Sequence, residues 1–536
     1  MRVVGSAAVA RRASDNDAIE TPIARTLCLA YTARSDARGA ADRDRRDRRD
    51  RRVTPARVDA DGRVARARET PDTAELGAAA DRTMALELRE AARAAFEVVS
   101  SASTLTEDAM EAFAAAATAP GVVERADVRE TLTATRDGGA TLLDARSPGE
   151  FAKGHIPGAV NVPLFDNDTR AEVGKTYKTR GRGEAMVLGM TAVAPQLDAL
   201  VEAAVRAIAE RGAKGSGGKD DVKDVYVMCF RGGMRSSCVG WLLSEKIPGV
   251  RVRVLSGGYK GFRKWALERC GALDVPAPKV CIVGGRTGVG KTRALLALEA
   301  KGEQIIDLEG LANHAGSAFG WVGREPQPTS EHYSNMVACT WDALDPTRWV
   351  YIEDEGPHVG RCSVDPLLFV RMRNAPLVIR MVASRDMRLH TLVEDYATDD
   401  LRSNPEWLPT MEESIEKLTK RLGGLRVKEI RDKLEGGDFT AVAEGLLDYY
   451  DELYDKHLMQ KRKDRRGRGG ANDETSSVTS FSSTEEERAG VVVDVHCRAR
   501  EDGAIDEESL VRNILCAVGL FDCQHGTIEE YPSEEG

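Results

Sequence analysis

The chain has 536 residues, enough for two or three domains each with its own core. Its formal net charge of -10 argues against a broadly basic nucleic-acid-binding surface, although a net figure leaves local patches open. Ten cysteines without paired spacing argue against a disulfide framework and point to free thiols in a reducing compartment. No stretch approaches the roughly 20 apolar residues of a membrane helix, so the expectation is a soluble chain with no membrane partner.

Residues 1–82 are rich in Ala, Arg and Asp and include the mixed-charge run Arg43 to Arg52. Such a run has no apolar period and cannot bury a core, which predicts a disordered extension. The first fourteen residues carry Arg2, Arg11, Arg12, Ser6 and Ser14 and no acid, the character of an organelle transit peptide, although Asp15 and Asp17 follow at once. The compartment therefore reads as an organelle (chloroplast or mitochondrion) or the cytoplasm. Residues 83–121 form an alanine-rich helical lead-in with Leu86, Leu88, Ala92 and Phe96.

A first domain is expected over 122–275. Thr141 to Arg146 reads as a short buried strand, and Gly154 to Pro163 as a loop shaped by Gly and Pro, in which His155 reads as a residue holding backbone groups rather than a base. Helical spacing returns from Leu197 to Ile208, and the apolar run Val225 to Met228 then delivers Cys229-Phe230-Arg231-Gly232-Gly233-Met234-Arg235-Ser236-Ser237. Strands alternating with helices predict a parallel sheet covered on both faces. A strand, a turn needing Gly232 and Gly233, and a helix from about Ser236 would aim successive N–H groups at one spot framed by Arg231 and Arg235. All of these favour thiolate over thiol, so Cys229 should titrate below the free value of about 8.5 and act as a nucleophile beside an anion site.

Pro276 and Pro278 mark a linker to a second domain over 276–400. Val280 to Val283 reads as a strand, and Gly285-Arg286-Thr287-Gly288-Val289-Gly290-Lys291-Thr292 fits G-x-x-x-x-G-K-[ST] between that strand and a helix from Arg293 to Ala300. Gly285, Gly288 and Gly290 let the backbone wrap a phosphate chain, Lys291 supplies a point charge, and Thr292 is a ligand for Mg²⁺. Trp349 to Glu355 is an apolar strand ending in acids, where Glu353 or Asp354 would face Mg²⁺ opposite Thr292, with Asp354 the expected ligand; a solvated strand end is the alternative. Asp307 to Ser317, with Gln327-Pro328 after it, is a polar loop whose purpose the residues alone do not disclose.

Together Asp144-x-Arg146, Glu150, Gly154 to Pro163 and the Cys229 loop resemble a rhodanese domain, in which the loop cysteine carries sulfur or selenium. With Gly257-Gly258-Tyr259-Lys260, the P-loop and Asp307-Leu308-Glu309-Gly310-Leu311-Ala312 leading to His314, Gly316 and Ser317, the chain resembles the tRNA 2-selenouridine synthase family over about residues 122 to 458. Arg421 to Gly424 and Leu446 to Tyr454 resemble that family's closing helices, placed in a C-terminal helical region over 401–460. The expected fold class is α/β: a rhodanese-like parallel sheet domain, then a P-loop NTPase-like α/β domain and C-terminal helices, with disordered extensions.

The resemblance implies a transferase that replaces the sulfur of wobble 2-thiouridine in tRNA with selenium from selenophosphate, through an S-geranylated intermediate made with geranyl diphosphate. Selenophosphate would lie on the Cys229 loop, and a diphosphate, free or within a nucleotide, on Gly285 to Thr292. The chain departs from the family where Gly356-Pro357-His358 stands in place of a Ser-Arg pair after the acidic strand. Two rival readings are a phosphatase, since Cys229 and Arg235 satisfy C-x₅-R although Met228 precedes the cysteine, or a generic sulfurtransferase, and a non-catalytic binding module. Residues 461–536 read as a low-complexity linker and tail: Lys461 to Arg468 as a charged linker, with tRNA backbone contact as the alternative, and 474 to 488 as a Ser/Glu-rich stretch. His496, Cys497, Cys516, Cys523 and His525 match no standard zinc spacing and read as unpaired.

Overall fold

The computed structural model describes residues 86–97, 99, 105–136, 138–212, 223–271, 276–460, 478–479 and 491–524. The expected transit peptide and disordered extension, the basic run from Lys461, the Ser/Glu-rich stretch apart from residues 478–479, and His525 lie outside them. Packing divides the chain into two units, Met1–Phe262 and Arg263–Gly536. That division falls before the Pro276 linker expected to mark it, because the end of the helix Gly258–Arg269 belongs to the second unit: Arg269 pairs with Asp342 and Cys270 joins a core with Ile282 and Tyr333.

The first unit is built on a five-stranded parallel sheet. Its strands are β1 (Glu124–Ala126), β2 (Ala140–Asp144), β3 (Val160–Asn161), β4 (Lys223–Met228) and β5 (Val250–Leu255), in the order β1-β5-β4-β2-β3. All five residues of β2 and the last four of β4 are buried, as a sheet with helices on both faces demands. Residues 86–97 and Glu107–Ala117 are helical, and they contribute to this core: Trp241 packs on Phe96 and Phe113 at ring distances of 5.1 and 5.3 Å. The run Arg182–Arg211 is long and apolar enough to span a membrane by composition. A 3₁₀ turn at Ala194–Gln196 breaks it, and Met186, Leu200, Ala204 and Ile208 are buried in the unit's core.

The second unit holds β6 (Lys279–Gly285), β7 (Gln304–Ile306), β8 (Trp349–Glu353), a small hairpin of β9 (His358–Val359) and β10 (Cys362–Ser363), then β11 (Leu377–Val382), β12 (Val478–Thr479) and β13 (Val491–His496). The main sheet runs β12-β13-β11-β6-β8-β7, parallel except for the β12 edge. Later strands add on both sides of β6, so its carboxyl end is a switch point where ligands bind in open α/β sheets. The expectation of a low-complexity tail over 461–536 is corrected for residues 491–524, which hold a strand and a helix. Val491, Val492, Val493 and Val495 supply β-branched residues to a strand that pairs along β11, and the helix Glu507–Gln524 buries Leu510, Ile514 and Phe521 against Val283 and Leu295. A helical layer follows β11, its core formed by Trp407, Met411, Ile415, Ile430 and Leu446.

Candidate active site

Cys229 stands at the carboxyl end of the central strand β4, before the helix Met234–Lys246. Gly232 has φ +63, and a β-carbon there would lie 2.3 Å from the Leu255 carbonyl oxygen. Gly258, at φ +55, brings the Gly257–Gly258 turn equally close, and the amides of Tyr259 and Lys260 donate to the carbonyls of Cys229 and Phe230, each at 2.9 Å. Two glycine turns from distant sequence positions therefore lock one loop. Arg125, which belongs to no motif and carries no local signal of a role, donates to the Gly232 carbonyl at 2.9 Å and the Ser237 hydroxyl at 3.2 Å.

The Cys229 sulfur is buried, and the Ser236 hydroxyl lies 3.3 Å from it and 3.0 Å from the Gly233 carbonyl. Burial alone would raise the thiol pKa. The Ser236 hydroxyl, the charge of Arg235 and the N–H groups of Arg231 and Ser236 outweigh it and hold Cys229 below its usual value. By contrast burial pushes Cys238 and Cys270 up to about 12, which leaves them inert thiols at neutral pH.

The two arginines act differently. Arg231 contributes its N–H group while its exposed side chain lies toward the Phe230 ring, 6.0 Å to centroid. Arg235 is half-buried and held by Glu150 at 3.4 Å. Glu150 also pairs with Arg170 at 3.2 Å and closes a capping box with Ser147 at the start of the helix Pro148–Lys153. Burial works against ionisation of Glu150, but the Arg170 hydrogen bond and the Arg235 charge prevail and hold its carboxyl below the usual range.

Beneath the loop, Arg146 and Asp144 form a buried pair at 2.6 Å. Arg146 also donates to the Gly154 carbonyl and lies 3.7 Å over the Tyr259 ring. His155 stacks on Phe151 at 3.8 Å with Nδ1 3.0 Å from the Phe151 carbonyl, and burial lowers its pKa, so it holds backbone as the loop context suggested.

In the second unit Gly285 to Thr292 joins β6 to the helix Lys291–Ala300. Gly288 (φ +81) sits where a β-carbon would meet the Arg388 carbonyl oxygen at 2.7 Å, and Lys291 donates to the Gly285 carbonyl at 3.3 Å. The loop is braced from outside. Arg388 donates to the Thr287 carbonyl at 2.8 Å and to Asp451 at 3.0 Å, and Asp451 also faces Arg286 at 3.8 Å. Asp451 belongs to the helix Phe439–Gln460, which gives the closing Leu446 to Tyr454 motif a task.

Thr292 Oγ1 lies 3.2 Å from Glu309 and 3.5 Å from Glu353. Glu309, Glu353 and Glu355 bring carboxylate oxygens within 4.8 Å of one another. The Asp307 to Ser317 loop supplies one of these acids, Glu309. Asp307 caps the short helix Leu308–Leu311, and the amide of Glu309 donates to Glu353 at 3.1 Å, which turns Glu309 toward Thr292. The acid that reaches Thr292 is Glu353 rather than Asp354. Successive residues of an extended chain point to opposite sides, and Asp354 lies instead beside Gly284. Burial, and for Glu353 and Glu355 next the charge of Glu309, push the carboxyls up, Glu355 to about 8. An all-oxygen donor set of this kind, crowded with like charge, suits a hard divalent cation.

In the departure at Gly356-Pro357-His358, His358 is exposed, with Nδ1 3.2 Å from Ser363 Oγ across the small hairpin. Among the described residues of the tail, Cys497 is pushed up to about 12 by burial, and no His/Cys cluster forms there.

Residues 127–264 match the rhodanese-like domain family model, and residues 278–487 match the model described as tRNA 2-selenouridine synthase AAA domain. A tRNA 2-selenouridine synthase of Marinobacter nauticus is 33% identical over 373 residues, covering 64% of this chain and 95% of the relative. Those of Sulfurovum sp. and Pseudomonas aeruginosa are 33% and 35% identical, covering 62% and 60% of this chain and 92% and 89% of their own.

Proposed function

The chain belongs to the tRNA 2-selenouridine synthase family and is a transferase-type enzyme that forms selenouridine in tRNA, and we propose that it does so in two steps divided between its two sites. In the first, a diphosphate ester of geraniol lies on Gly285 to Thr292, with Lys291 against its charge. The sulfur of wobble 2-thiouridine attacks the first carbon of the geranyl group, the C–O bond breaks with its electron pair leaving on diphosphate, and N3 loses a proton. Thr292, Glu309 and Glu353 would hold Mg²⁺, with Glu355 alongside; when bound, it neutralises charge on the leaving diphosphate.

In the second step selenophosphate lies on the Cys229 loop, its oxygens toward the loop N–H groups and Arg235. The Cys229 thiolate attacks phosphorus and the P–Se bond breaks to release hydroselenide. Hydroselenide adds to C2 of the geranylated base, its proton passes to N3, and geranylthiolate departs. Water hydrolyses the S–P bond, returning Cys229 as thiolate and leaving a phosphate proton for geranylthiolate. Phosphorus stays pentavalent throughout, so no oxidant or reductant is needed.

The observation that carries this reading is the placement of Cys229 at the end of β4, in a loop whose N–H groups and Arg235 face it and with the Ser236 hydroxyl 3.3 Å from its sulfur. A phosphatase reading of Cys229 and Arg235 leaves the P-loop carboxylates without a task. The test is mass spectrometry of tRNA nucleosides from cells supplied with selenium. Loss of the protein should remove 2-selenouridine, Cys229→Ser should accumulate geranylated 2-thiouridine, and Lys291→Ala should leave 2-thiouridine. Identical nucleosides in Cys229→Ser and Lys291→Ala cells would overturn the division of labour.

A further inference from the structure

A largely apolar cavity, part of it open to solvent, lies in the second unit beside the P-loop. Thr287 of the P-loop is one of its walls, and the opposite walls include Leu392, Met411, Phe439, Leu446 and Tyr450. Leu392 is also the side chain that a β-carbon on Gly288 would meet, at 3.0 Å, so the apolar wall begins against the phosphate-binding turn itself. Among the described residues, no charged or amide side chain lines the space. Its polar groups are the hydroxyls of Thr287, Ser317, Tyr396 and Tyr450, and those of Ser317 and Tyr396 lie 3.4 Å from each other.

This lining favours one of the two kinds of diphosphate that a P-loop can hold. A nucleotide brings a ribose and a base whose polar edges outnumber the four hydroxyls here, so burying them would leave some without partners. A hydrocarbon chain needs none, and gains with each CH₂ it buries. We infer that this cavity seats the hydrocarbon chain of a prenyl diphosphate whose head lies on the P-loop, and that Ala443 and Leu446, both in its wall, set the chain length accepted. The inference rests on the reading that the P-loop holds a prenyl diphosphate, and it adds the place of the chain and the residues that measure it.

The full-length protein is titrated with inorganic pyrophosphate, ADP, geranyl diphosphate and farnesyl diphosphate by calorimetry. Geranyl diphosphate should bind at least about tenfold more tightly than pyrophosphate or ADP. Ala443→Phe, which fills the cavity, should abolish that advantage and leave pyrophosphate affinity unchanged. Leu446→Ala, which enlarges it, should shift preference toward farnesyl diphosphate by about fivefold or more. Retained pyrophosphate binding shows that each variant is folded, and Leu446→Ala alone decides the matter if Ala443→Phe does not fold. If the wild-type chain prefers geranyl diphosphate but both folded variants keep the wild-type pattern, the cavity assignment falls while the P-loop reading stands. If the wild-type chain binds ADP most tightly, or pyrophosphate as well as geranyl diphosphate, both fall.

Discussion

A β-carbon on Gly258 would lie 2.3 Å from the carbonyl oxygen of Cys229, and the next amide, that of Tyr259, donates to that same oxygen at 2.9 Å. The obstruction is backbone, which cannot swing aside, and the glycine has φ +55. Gly258→Ala should therefore cost about 1–3 kcal/mol or more and open the Cys229 loop. Thermal unfolding should show a lower midpoint for the first unit, and cells carrying the variant should lose 2-selenouridine.

Ser236 provides the next test. Thiolate is the reactive form, so a lowered pKa moves the plateau of alkylation rate to lower pH. Cys229 should reach half its maximal rate below the roughly 8.5 of a free thiol, and Ser236→Ala, which removes a hydrogen bond to the thiolate, should move that midpoint upward. Iodoacetamide labelling across pH, read for the Cys229 peptide by mass spectrometry, checks both. An unchanged profile in Ser236→Ala would assign the shift to Arg235 and the loop amides.

The Arg146–Asp144 pair is 2% and 0% exposed. Arg146→Leu leaves Asp144 buried without its counter-charge and removes the cation over Tyr259, a loss of about 3–5 kcal/mol. Urea denaturation should show the first unit unfolding at a lower midpoint.

Glu150 makes the first site sensitive to acid. Its carboxyl is held below the usual range, so its stabilising contribution is complete above the unfolded value of 4.5 and disappears as pH falls through the lower folded value. Glu150→Gln should remove that part of the acid dependence of unfolding. At neutral pH it should also release Arg235 from its carboxylate, weakening selenophosphate binding by about tenfold.

In the second unit Glu353→Gln should weaken Mg²⁺ binding in the presence of pyrophosphate more than Asp354→Asn does, because Glu353 faces Thr292 and Asp354 lies beside Gly284. Calorimetric Mg²⁺ titration of both variants makes the comparison. Equal losses would return Asp354 to the site.

The two candidate loops were legible in the sequence because each is contiguous: the glycines that permit the turn, the cations and the key polar side chain lie within nine residues at Cys229 to Ser237 and within eight at Gly285 to Thr292. The alternation of strand and helix likewise fixed the α/β class. Composition misled at the far end, where polar residues up to about 490 concealed the Val491 to Val495 strand that β11 supplies with hydrogen bonds. Only the tertiary structure set Gly258 against Cys229, turned Glu309 and Glu353 toward Thr292, braced Thr287 through Arg388 and Asp451, and gathered an apolar cavity from helices more than a hundred residues beyond the P-loop. Local chemistry is written in neighbouring residues. Convergence depends on sheet register and crossover paths, which no spacing along the chain encodes.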